Sequence, residues 1–167
     1  MFDRALFRFG LMVAGAVLVL DQVTKMIFLY VFDTMGTPLI SVIPGFFDLA
    51  IVWNRGVSFG MLATDGALGQ WLLGAFALAV TVGLVVWLWR ATTRWVALAL
   101  GLTIGGAIGN VIDRARYGAV FDFLDFHVGG WHWPAFNMAD TAISLGVAGL
   151  VLATLLERPR TTKLDGS

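Results

Sequence analysis

The sequence predicts an all-α membrane protein: four transmembrane helices with a small extracytoplasmic β-rich segment. Three observations predict it. Hydrophobic residues make up 59% of the chain and charged residues 13%, roughly half the charged share of a soluble domain. Mean hydropathy is +0.84. Four apolar stretches each approach the roughly 20 residues that a bilayer-crossing helix needs. The 167 residues are expected to form one integral membrane domain over residues 1–167.

The first span covers about 5–32 and is interrupted by Asp21 and Lys25. Arg4 and Arg8 precede its apolar core, as in a signal peptide, but the core leads into a charged pair with no small-residue cleavage site, so a retained helix is expected. The second span, 67–89, has Gln70 as its main polar residue. The third, 95–112, is clean until Asn110, and the fourth, 136–156, is polar only near its start. On the third, Ala97, Gly101, Gly105 and Gly109 form a smooth stripe that lets another helix approach, here expected to be the fourth span with its Gly146, Gly149 and Ala153.

Basic residues set the orientation. Arg4, Arg8, Arg90, Arg94, Arg158, Arg160 and Lys163 fall on one side; on the other, Lys25, Arg55, Arg114 and Arg116 are diluted by aspartates. Lys- and Arg-rich loops stay cytoplasmic, which predicts cytoplasmic termini and outer segments at 33–66 and 115–135. In Pro38 to Trp53, two β-prone runs flank Pro44-Gly45, a turn-forming dipeptide, so a short hairpin is expected there, followed by a second turn at Asn54-Arg55-Gly56. Ala119 to His127 is expected to add a strand or two. Trp53, Trp131 and Trp133 suit the membrane–water boundary.

A formal net charge of zero argues against nucleic acid as a partner. The absence of cysteine excludes disulfides and thiol chemistry. His127 and His132 are the only histidines, too few for a convincing metal site, so no metal and no cofactor are expected. The remaining polar groups gather at one depth. At about 1.5 Å per residue, Asp21 lies roughly 20 Å along a helix that starts near Arg8. Asn110, Asp113 and Arg114 end the third span, Asn137 and Asp140 begin the fourth, and Asp122 lies between them. A transporter would place ionisable groups near the midplane, which here is apolar. A site at the outer boundary suits chemistry on something lying in the outer leaflet. Two carboxylates sharing a proton can activate water and protonate a leaving group, so an aspartate-dyad hydrolase is the chemistry these residues permit.

Five motifs then resemble the signal peptidase II family of membrane aspartyl proteases. Asp21-Gln-Val-Thr-Lys25 is similar to its D-x-x-[ST]-K, and Asn54-Arg55-Gly56-Val57-Ser58-Phe59 to its N-x-G-x-x-F. Gly105 to Arg114 resembles G-G-x-x-G-N-x-x-D-R, Val120-Phe121-Asp122-Phe123 resembles V-x-D-F, and Phe136 to Asp140 resembles F-N-x-A-D. They occur in the family's order, with Val57-Ser58 where the family more often has two alanines. The resemblance implies a bacterial inner-membrane endopeptidase that cuts prolipoproteins before a cysteine bearing diacylglycerol, with lipid-modified precursors and membrane lipid as partners. It also implies a surface cradle around Pro38–Asn54. A monomer is expected.

Three aspartates compete for the chemistry. Asp113 sits beside Arg114 and one turn from Asn110, partners that would hold it as a structural carboxylate. Asp122 lies between Phe121 and Phe123, where desolvation favours the protonated acid. Asp140, in the first turns of its helix, is favoured as a carboxylate by the helix dipole. Asp122 and Asp140 are therefore the expected catalytic pair, as the resemblance also implies. Asn54, Gly56, Asn110, Asp113, Arg114 and Asn137 are expected to support the site or bind substrate, and Asp21 and Lys25, four apart on one helix face, to brace it. The competing readings are a small transporter or lipid carrier, which would move substrate without cleavage, and a non-catalytic assembly factor, in which Asp→Asn changes would lower yield rather than activity.

Overall fold

The computed structural model describes residues 2–56 and 67–156. Val57, Ser58 and Phe59 of the second motif, and Arg158, Arg160 and Lys163, lie outside the described residues. Eight elements follow one another: α1 (Arg4–Met35), β1 (Leu39–Ile43), β2 (Phe47–Asn54), α2 (Ala67–Trp89), α3 (Arg94–Tyr117), β3 (Val120–Val128), β4 (Trp131–His132) and α4 (Met138–Leu156). All four helices are long and apolar enough to cross a membrane.

Two helices outrun their predicted spans because hydrophobicity measures the bilayer, whereas caps end the helix. Asp3 caps α1, its carboxylate accepting from the Ala5 and Leu6 N–H groups at 2.8 and 3.1 Å. The helix then continues past Phe32 to Gly36, whose φ of 63° closes it. Likewise α3 starts on the Thr93 cap and ends at Gly118, with φ 67°. Asp113 to Tyr117 are thus helical, and the outer loop expected from 115 begins three residues later. The fourth helix starts at Met138 rather than 136, since Phe136 bridges to Leu124 in the sheet.

Helix α3 is the hub, and α1, α2 and α4 all pack against it. The expected partner of its small-residue stripe is corrected here. A Cβ on Gly101 or Gly105 would meet the Gly10 or Ala14 carbonyl of α1, and one on Gly109 would strike the Asp21 carboxylate. The stripe therefore seats α1, not α4. Helix α4 is received one face round, where Gly106 meets the Ala139 backbone and Gly146 meets Ala99 and Thr103. Successive helical positions turn by about 100°, so Gly105 and Gly106 serve different neighbours.

Four antiparallel strands form a sheet in the order β1-β2-β3-β4. The predicted hairpin turn is present: the Phe46 N–H donates to the Ile43 carbonyl at 3.0 Å, and Gly45 takes φ 78°. Proline before a glycine of positive φ is the type II pattern. Phe121 and Phe123 from β3 are fully buried and pack with Phe32 and Phe28 of α1, fastening the sheet to the helix.

One irregularity decides where the sheet's polar groups point. Ala50 and Ile51 separate Leu49 from Val52 on β2, while only Phe123 separates their partners Leu124 and Asp122 on β3. This bulge shifts the side-chain alternation by one residue. Beyond it, Asn54 lies on the same face as Asp122 instead of the opposite one.

Candidate active site

The C-terminal ends of α1 and α3 and the N-terminal end of α4 meet the sheet, and nearly every candidate site residue named from the sequence converges there. Asn137 caps α4: its side-chain oxygen accepts the Asp140 N–H at 3.0 Å, while Asp140 Oδ2 accepts the Asn137 N–H at 3.2 Å. This reciprocal cap fixes both side chains. Asn137 Nδ2 also donates to Asp122 Oδ1 at 2.7 Å. One fully buried asparagine thereby sets the position of one carboxylate against the other.

Two more asparagines complete the frame. Asn54 Nδ2 donates to Asp122 Oδ2 at 3.1 Å, and its own oxygen accepts the Gly56 N–H at 3.2 Å, which places Gly56 in the expected second turn. Asn110 Nδ2 donates to Asp140 Oδ1 at 2.8 Å. Every oxygen of Asp122 and Asp140 thus receives a hydrogen bond from an asparagine side chain or backbone. Asp122 is 1% exposed and Asp140 is half-buried. Burial first, and repulsion from Asp140 second, push the Asp122 carboxyl up to about 7, against the Asn54 and Asn137 hydrogen bonds and the Lys25 charge.

Beneath the pair lies a buried ionic cluster. Lys25 Nζ stands 2.9 Å from Asp21 and 2.7 Å from Asp113, with all three side chains nearly inaccessible. The Asp21–Lys25 pairing on one helix face is as expected. The partner of Asp113 is not: Lys25 holds it, together with the Phe121 N–H at 3.2 Å, rather than neighbouring Arg114. Asp21 Oδ1 also accepts the Ala139 N–H at 3.0 Å, so α1 helps to anchor the start of α4. The cluster reaches the carboxylates through Asn110, whose Oδ1 lies 3.4 Å from Lys25 Nζ.

Arg114 is half-buried on the same helix as Asn110. Its Nη1 contacts the Asn110 carbonyl at 3.4 Å, and its buried Nε has no partner. It forms no salt bridge with Asp113, Asp122 or Asp140 among the described residues.

Sequence reasoning missed Gln22. Its Nε2 touches Asp21, Asp113 and the Gly109 carbonyl at 3.1, 3.1 and 3.4 Å, joining α1 to α3. The available signal was its place between Asp21 and Lys25, but an amide next to an ion pair is easily taken for a surface residue. His127 and His132 sit apart from the carboxylate pair. They stack at 4.7 Å, His127 on Asp48 at 3.0 Å and His132 on Asp125 at 2.9 Å. Among the described residues, no group of three or more His, Cys, Asp or Glu is arranged to hold a metal ion.

Known proteins share this plan. The family model for signal peptidase (SPase) II matches residues 13–156. The lipoprotein signal peptidase of Methylorubrum extorquens (strain PA1) is 50% identical over 163 residues, covering 95% of this chain and 92% of that protein. That of Methylobacterium radiotolerans is 50% identical over 149 residues, covering 89% and 86%. A bacterial membrane enzyme solved by the in meso method at 2.3 Å superposes with a TM-score of 0.75 at 26% identity, covering 95% of this chain and 94% of that one. With the ordered motifs, the four spans and the paired carboxylates agreeing with matches of this extent, the chain belongs to the signal peptidase II family of bacterial membrane aspartic endopeptidases.

Proposed function

We propose that this inner-membrane endopeptidase, which removes signal peptides from prolipoproteins as its family does, works through Asp122 and Asp140 as its catalytic pair. The observation that carries the assignment is Asn137, whose side chain donates to the Asp122 carboxylate and whose backbone N–H donates to that of Asp140. Asp113, the rival, is engaged on both oxygens by the Lys25 ammonium, Gln22 and the Phe121 N–H, deep in the ionic cluster.

The chemistry follows from the two environments. Buried Asp122 keeps its proton and gives it to the oxygen of the scissile carbonyl. The Asp140 carboxylate takes a proton from the attacking water. The tetrahedral diol then collapses: the scissile C–N bond breaks, the proton held by Asp140 passes to the leaving nitrogen, one diol hydroxyl returns its proton to Asp122, and the new carboxyl group departs. Asn54, Asn110 and Asn137 hold the pair in place, and Arg114 supports them through its contact with the Asn110 carbonyl. The bond cut precedes the diacylglyceryl-modified cysteine, and the outer sheet from Leu39 to Asn54 supports the substrate at the surface.

Cleavage of a purified lipid-modified prolipoprotein by the purified chain tests this reading. The rate should persist in chelators and fall as pH rises through about 7, where Asp122 loses its proton. A rate that climbs steadily to pH 9 would remove Asp122 from the acid role. Stability should follow the same direction. Between the ordinary aspartate value of about 4 and about 7, the folded chain holds a proton that the unfolded chain has released, so the contribution is full below that window and lost through it. Thermal unfolding of the purified chain at pH 5.5 and 8.5 should show the higher midpoint at the lower pH.

The distribution of Lys and Arg supports an orientation with both termini in the cytoplasm and the carboxylate pair near the outer face. The chain has no cysteine, so single introduced cysteines report cleanly. One at Thr37 or Gly130 should react in intact spheroplasts, and one at Thr92 only after lysis. Labelling at Thr92 before lysis would overturn the arrangement.

A further inference from the structure

At the end of the bundle far from the aspartates, α2, α3 and α4 leave a cavity of about 140 Å³. Its walls carry Trp87 and Arg90 from the end of α2, Thr92 from the connecting turn, and Leu150, Ala153 and Thr154 from α4. No carboxylate lines it. Arg90 enters no salt bridge among the described residues, and neither the Thr92 hydroxyl nor the Trp87 indole N–H has a hydrogen-bond partner there. Arg94, nearby in sequence, is occupied elsewhere, its guanidinium 5.1 Å above the Phe9 ring. Three residues with hydrogen-bond donors thus line one small cavity, and one of them is cationic.

We propose that this cavity binds the headgroup phosphate of an anionic phospholipid in the cytoplasmic leaflet. Arg90, Thr92 and Trp87 supply donors to the phosphate oxygens. Leu150 and Ala153 form the apolar wall below it. Val86 on α2 and Val151 and Leu152 on α4 are exposed nearby and offer surface to the acyl chains. The position at the ends of two membrane-crossing helices is what selects a lipid over a free anion, because the phosphate must arrive at headgroup depth with apolar surface beneath it. The proposal rests on the orientation given above only for the choice of leaflet.

Native mass spectrometry of the delipidated full-length chain tests the site without reference to orientation. With equal phosphatidylglycerol and phosphatidylcholine, one tightly held phosphatidylglycerol should be retained about five-fold over phosphatidylcholine, the preference one interfacial arginine confers. Arg90→Gln should erase that preference while leaving prolipoprotein cleavage unchanged, which also shows that the variant folds. Arg94→Gln should keep the preference. Equal retention of the two lipids, or a preference that survives Arg90→Gln, would overturn the proposal. So would millimolar inorganic phosphate binding as well as the lipid, since that would make the cavity a free-anion site. Failure of the cysteine-labelling pattern would move the site to the other leaflet and leave the binding result standing.

Discussion

Replacing Asp122 or Asp140 with asparagine should lower prolipoprotein cleavage by roughly 1,000-fold or more, the upper range for losing a positioned acid or base. Each change conserves volume and removes the ability to carry the proton, at the cost of one of the two hydrogen bonds that the carboxylate accepts. Yield and thermal midpoint should stay near those of the parent chain, because Asn137 can still cap α4 through its bond to the residue 140 backbone. The two variants should fail equally, since neither a lone acid nor a lone base completes the cycle. A folded Asp122→Asn enzyme with full activity would refute the pair and return attention to Asp113. A non-catalytic assembly role with structural aspartates is separated by the same assay, since it predicts lost yield with no cleavage to lose.

Lys25→Met should produce the largest loss of stability in the molecule. The lysine stands between Asp21 and Asp113, and all three side chains are buried. Deleting it strands two carboxylates in a dry site, a change of about 3–5 kcal/mol for a broken buried ion pair. Asp113→Asn should cost less, because Lys25 retains Asp21. Denaturant unfolding of the purified variants in one detergent measures both. A Lys25→Met midpoint equal to the parent's would show that the cluster does not hold α1 against α3. Activity should fall with stability, since Lys25 also reaches Asn110 and, through it, Asp140.

The sequence showed these features to different extents, for physical reasons. Spans were visible because lipid imposes length and apolarity on contiguous residues. The Pro44-Gly45 turn was visible because its constraint is local. The burial of Asp122 was legible because Phe121 and Phe123 advertise a dry environment for it. What failed was partner choice across the fold. Asp113 and Arg114 are neighbours in the chain, but a step of about 100° around the helix points Asp113 at α1 and Arg114 elsewhere. Gly105 and Gly106 differ in partner for the same reason. Gln22 was overlooked because its contacts lie on α3, far away in sequence. Strand alternation beyond Leu49 could not be foreseen, since nothing in Leu49-Ala50-Ile51-Val52 marks an extra residue.

That extra residue makes the site sensitive to counting. Along β2, Asp48 sits opposite Asp125 before the bulge, and Val52 sits opposite Asp122 after it. Insert one codon after Ile51, with the bulge kept, and every helix, turn and cap can persist, yet Asn54 would be carried to the far face of the sheet and Asp122 would lose that donor. A substitution at Ala50 or Ile51 alters one side chain, whereas an insertion there re-addresses all those that follow. Length at this point of the strand is thus under tighter constraint than residue identity, and a variant library built only from substitutions would never reveal it.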